Sequence, residues 1–88
     1  MKRFIKDPNA VLDYQFGWAE WLDGDTISSR QIIADTGITV GTDTEAAGVV
    51  TAWLSGGEVG RSYTVTCRIV TAGGRTNDMS IVLLIRQQ

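Results

Sequence analysis

Between Tyr63 and Arg86 the chain alternates apolar and polar residues across a glycine break. Tyr63, Val65, Cys67 and Ile69 share one parity, and Thr64, Thr66 and Arg68 the other. After Ala72-Gly73-Gly74-Arg75, the residues Met79, Ile81, Leu83 and Ile85 resume the apolar parity. Successive side chains of a strand point to opposite faces, so one face of each run is fit for burial. Two such runs joined by a short Gly-Gly segment predict an antiparallel hairpin.

The upstream half reads the same way. Residues 1–6 suit a short edge strand, stopped at Asp7-Pro8-Asn9 because proline gives a ladder no donor. Leu12, Tyr14, Phe16 and Trp18 alternate with Asp13, Gln15 and Gly17, which predicts a strand with an aromatic face. Residues 18–22 suit a single helical turn, closed by Asp23-Gly24-Asp25. Residues 26–34 predict a long strand whose two parities do not separate cleanly, as a bulge would cause. Asp35-Thr36-Gly37 is a turn, and Ile38-Thr39-Val40 a short strand ended by Gly41-Thr42-Asp43. The β-branched run over residues 49–54 favours another strand, and Ser55-Gly56-Gly57-Glu58-Val59-Gly60 a glycine-rich loop. Six or seven short strands and no helix-length amphipathic segment predict an all-β fold. The expected architecture is an antiparallel sandwich of immunoglobulin or fibronectin III type, with a small β-barrel as the alternative. Tyr63 falls where such sandwiches place a tyrosine corner, its hydroxyl bonded back to the preceding loop.

Length and composition narrow the chemistry. Eighty-eight residues predict one domain over residues 1–88 with a single thin core. Lys and Arg number 8 against 10 Asp and Glu, with Lys2, Arg3 and Lys6 the one basic group, expected as a solvated terminus; no nucleic-acid partner is expected. The sequence contains no His and one Cys. Acid–base catalysis therefore lacks its usual titrating group, zinc its ligands, and a cysteine nucleophile its base. Cys67 shares parity with Val65 and Ile69, and is expected as a small buried hydrophobe. Asp23 and Asp25 bracket a glycine as turn geometry alone would ask, and supply too few oxygens for calcium. The glycine-rich loop lacks the lysine and following helix of a phosphate-binding loop. No apolar run follows Met1-Lys2-Arg3 as in a signal peptide, and none is long enough for a membrane helix. No catalytic residue, cofactor, metal, membrane partner or small-molecule substrate is expected, and the cytoplasm is the expected place of synthesis and residence.

Two features remain. Trp18, Trp21 and Trp53 suit either a core or an exposed platform for sugar rings. The core is the expected place for Trp21, and is favoured over the platform for Trp18 and Trp53. On the hairpin, Val70, Val82 and Leu84 fall on the parity opposite the core. Unless the termini or a loop cover them, they form a candidate partner-contact surface.

Several stretches carry a more specific signal: Lys6-Asp7-Pro8-Asn9-Ala10-Val11-Leu12-Asp13-Tyr14, Trp18-Ala19-Glu20-Trp21-Leu22 and Asp23-Gly24-Asp25-Thr26-Ile27. Val50-Thr51-Ala52-Trp53-Leu54-Ser55-Gly56-Gly57, Gly60-Arg61-Ser62-Tyr63-Thr64-Val65-Thr66 and Thr71-Ala72-Gly73-Gly74-Arg75-Thr76 continue it. In this order and spacing they resemble a family of small proteins of tailed bacteriophages and prophages, encoded among the virion structural and morphogenesis genes. The resemblance covers nearly the whole chain. It implies an immunoglobulin-like, non-enzymatic virion or assembly component of the head or head–tail region. Such a component would dock onto other virion proteins, with a homo-oligomer as one form it could take. The resemblance carries over no catalytic residues, and marks the glycine-rich loop and the 72–75 tip as contact points. A carbohydrate- or cell-surface-binding module of the particle is the alternative.

Overall fold

The computed structural model describes residues 2–87. Its strands are β1 (Lys2–Lys6), β2 (Leu12–Gly17), β3 (Ile27–Ala34), β4 (Ile38–Ala46), β5 (Val49–Gly56), β6 (Ser62–Thr71) and β7 (Thr76–Ile85). One helical turn, α1 (Ala19–Leu22), follows β2. Met1, part of the predicted first strand, lies outside the described residues.

The strands form two sheets, ordered β1-β7-β6-β3 and β2-β5-β4. Among the described residues neither sheet closes on itself and no ladder joins them, so the barrel alternative gives way to the sandwich. Lettered A to G in chain order, the sheets read A-G-F-C and B-E-D. This is the immunoglobulin arrangement with the first strand moved beside the last. That shift makes β1–β7 parallel, Lys2 opposite Ile81 and Lys6 opposite Ile85, whereas every other pair is antiparallel.

The core follows from parity. Val65, Cys67 and Ile69 of β6 and Ile81, Leu83 and Ile85 of β7 face Tyr14 and Phe16 of β2 and Val50, Ala52 and Leu54 of β5; all are buried. Trp18 closes the core at the α1 end, its ring edge-to-face with Trp21 at 5.5 Å. Phe4 and Tyr14 meet similarly across the sheets at 5.1 Å. On the opposite long side Arg30 of β3 reaches Asp43 of β4, Nε to Oδ2 at 2.6 Å and Nη2 to the backbone oxygen at 3.1 Å. The molecule is elongated, 41 × 20 × 20 Å.

Two local expectations are corrected. Gly41-Thr42-Asp43 does not end a strand. Register slips between Val40↔Leu54 and Asp43↔Ala52, so Gly41 and Thr42 bulge opposite Trp53 and β4 continues to Ala46. Trp53 is not a core residue: it is 43% exposed, because Val50, Ala52 and Leu54 take the inward parity of β5 and turn it out. The bulge predicted in the third strand lies between Ile27 and Ser29.

The tyrosine corner forms. The Tyr63 hydroxyl accepts a hydrogen bond from the Glu58 amide at 3.0 Å. Its ring lies so close to Gly37 that a Cβ there would sit 2.7 Å from Tyr63 Cε1. Gly37, at φ +113°, is thus required both by its backbone conformation and by its neighbour.

Candidate docking surface

On the outer face of the four-stranded sheet, Val82 and Leu84 of β7 are half-buried. Their β6 neighbours are Thr64 and Ser62, and their β1 neighbours Arg3 and Ile5. Ile5 is 53% exposed. Ile5, Leu84 and Val82 therefore form one apolar patch with Arg3 at its border. Val70 is 36% exposed but sits elsewhere, between Ser29 and Thr76. Six residues along β6 separate it from the Thr64–Val82 row, roughly 20 Å at strand rise. The structure thus brings together two of the three predicted contact residues and adds Ile5. The alternation of Phe4 and Ile5 was the available signal for Ile5. What the sequence did not show was that β1 would lie beside β7.

The two loops implied as contact points are both tied down. At the 72–75 tip, the Asp25 carboxylate accepts from the amides of Thr26 (2.8 Å) and Gly73 (3.1 Å) and from Arg75 Nη2 (3.2 Å). Arg75 Nη2 also donates to the Leu22 carbonyl at 2.9 Å, and the guanidinium carbon lies 4.1 Å from the Trp21 ring centre. The Thr71 hydroxyl, foremost, then the Thr26 and Gly73 amides and Arg75, hold the Asp25 carboxyl down at about 2, against a smaller upward push from burial. Asp25 is thus a structural acceptor: it pins the turn before β3 to the β6–β7 hairpin. A shallow recess of about 320 Å³ opens beside it, lined by Ala19, Gly24, Glu45 and Ala47 among others.

At the other end, the glycine-rich loop is held from three sides. The Gly57 amide donates to the Gly37 carbonyl at 3.0 Å and the Gly60 amide to that of Ile85 at 2.9 Å. Lys6, fully buried, donates through Nζ to the carbonyls of Gly56 (2.8 Å) and Asp7 (2.9 Å). Burial lowers the pKa of its ammonium, and the nearby Asp7 charge partly offsets this. Lys6 is therefore a fastener between the sheets, not part of a solvated basic terminus, and only Lys2 and Arg3 of that group stay exposed. Val59, 56% exposed, marks the loop crest.

The remaining candidates sit apart from these surfaces. Cys67 is buried, which pushes its thiol up, with the Trp18 indole pulling less strongly the other way. Trp18 is in the core, Trp21 is half-covered beneath Arg75, and Trp53 stands on the three-stranded sheet. The three tryptophans make no common platform.

These features define an immunoglobulin-like sandwich whose end loops are hydrogen-bonded to its body and whose apolar residues emerge on its outer faces. Residues 6–84 match the family described as podophage GP4 fiber-tail adaptor protein gp77, and the chain belongs to that family. It is thereby a member of a tailed-phage structural protein family. No curated protein matches the chain.

Proposed function

We propose that the chain is a non-enzymatic connector of a tailed-phage particle that joins a fiber to the tail by docking onto proteins on both sides. The match of residues 6–84 to the fiber-tail adaptor family carries this reading. The family description favours the fiber–tail junction over the head or head–tail region. The chain acts there through fixed surfaces: the Ile5–Val82–Leu84 patch is the first contact, and Val70 and Val59 are separate, smaller ones. Assembly takes place in the host cytoplasm and the chain stays in the virion.

The test is incorporation. Particles grown with the wild-type chain should contain it in the tail fraction together with the fiber, by mass spectrometry. Leu84→Asp should fold, with an unchanged circular-dichroism spectrum and melt, yet be missing from particles that also lack fibers. Fibered particles without the wild-type chain would refute the proposal.

A further inference from the structure

Strand β1 is the outermost strand of the four-stranded sheet. Its carbonyl at Lys6 bonds inward, accepting from the Arg86 amide at 3.0 Å on the extension of β7. Backbone groups alternate sides along a strand. With Lys6, Phe4 and Lys2 bonding toward β7, the amides and carbonyls of Arg3 and Ile5 face the free edge. An open edge of this kind is a template for a further strand.

Two observations say what that strand is. Lys2 and Arg3 are exposed and, among the described residues, neither is part of an ion pair, whereas Arg30, Arg61, Arg68 and Arg75 each have a carboxylate. The Ile5 side chain, on the same outer face as Arg3, continues the apolar patch of Val82 and Leu84 to the very edge. The cations also weigh against a second copy of this chain, since pairing two β1 edges brings Lys2 and Arg3 of both copies together.

We propose that the free edge of β1 receives an extended acidic segment of another virion protein as an added strand. Its backbone pairs with Arg3 and Ile5. On the outer face, a carboxylate lies opposite Arg3 and an apolar side chain two residues away lies on Ile5. This rests on the docking reading and specifies the chemistry of the contact.

The probe is an acetylated, amidated heptapeptide, Val-Thr-Glu-Thr-Val-Thr-Glu, which places valine and glutamate on one face of a strand. It is titrated into the isotope-labelled full chain, followed by amide shifts and hydrogen exchange. The Arg3 and Ile5 amides should shift and gain protection, and a peptide with lysine for glutamate should bind about five- to tenfold more weakly. Ile5→Pro removes one edge donor without touching the β7 ladder, and should abolish binding while leaving the melt unchanged. Arg3→Glu should reverse the preference between the two peptides, which keeps the test decisive if the proline variant is destabilised. Equal binding of both peptides, or shifts centred elsewhere, overturns the proposal. If incorporation into particles is lost in Leu84→Asp while the peptide fails to bind, docking stands and strand addition falls. If the peptide binds as described but Leu84→Asp assembles normally, the edge stands and the apolar patch falls.

Discussion

Replacing Tyr63 by Phe removes one oxygen and leaves the ring in place. The hydroxyl accepts from the Glu58 amide at 3.0 Å, and Tyr63 is only 7% exposed. A hydrogen bond of this kind contributes about 0.5–1.5 kcal/mol net, and the upper end applies when the abandoned partner stays dry. Glu58 is exposed, so water reaches its amide once the phenol oxygen is gone. The expected loss is therefore about 1 kcal/mol, with a midpoint drop of roughly 4–8 °C for a domain of this size. Urea titration should show a lower midpoint with an unchanged slope, because the surface exposed on unfolding is the same. Tyr63→Leu also loses the ring that packs on Gly37, and should cost about 3 kcal/mol. A Phe variant as stable as wild type would refute the reasoning, since the loop would then be held by its glycine contacts alone.

Four other outcomes are expected. Ala47 and Gly48 form a two-residue hairpin turn with φ of 51° and 81°, a geometry that favours Asn-Gly; Ala47→Asn should stabilise by about 0.5–1 kcal/mol in urea. Gly37→Ala should destabilise by about 2 kcal/mol or more, through positive φ and the clash with Tyr63. Asp25 has a folded pKa of about 2, below its ordinary value of 3.8, so its contribution is complete above that ordinary value and is lost as pH falls through the folded one; Asp25→Asn should flatten the acid limb of thermal midpoint against pH between about 4 and 2. Lys6→Ala strips the Gly56 carbonyl of its ammonium donor and leaves a void between the sheets, so calorimetry should show a loss of about 2 kcal/mol.

Where strand parity is clean, the sequence could be read directly. On β6 and β7 the buried set matches the apolar parity, and Tyr63 took the corner role its position predicted. Strand β5 shows why other elements were harder to read. Val49, Thr51 and Trp53 on one parity compete with Val50, Ala52 and Leu54 on the other, and period two cannot choose between two β-friendly sets. Which set turns inward depends on the neighbouring strands. The glycine at position 41 signalled a break, but a bulge and a turn use the same residue for the same freedom. Lys6 was misread because its environment is built from Gly56, fifty residues away. The docking patch was half-visible: Val82 and Leu84 follow from the parity of β7, but Ile5 joins them only through a parallel pairing that local pattern does not encode.

For the proposed connector, the placement of the polar clamps bears on how load would pass through the body. Arg75 and Asp25 fasten the α1 end, Lys6 and Tyr63 the opposite end, and Arg30 with Asp43 the β3–β4 side. The remaining long side is closed by the Phe4–Tyr14 contact, and β1 is the outermost strand of its sheet there. A connector that must hold a fiber against the tail gains from a body whose loops do not rearrange on binding, because each ordered loop is entropy already lost before association. On this argument the contacts fall on the free edge of β1 and on the side-chain faces, where neither partner must first be ordered. Hydrogen exchange of the free chain should accordingly be slow at Gly57, Gly60 and Gly73, whose amides are bonded across loops, and fast at Arg3 and Ile5. Fast exchange at those glycines would mean that the clamps open in solution, and that binding itself orders the ends.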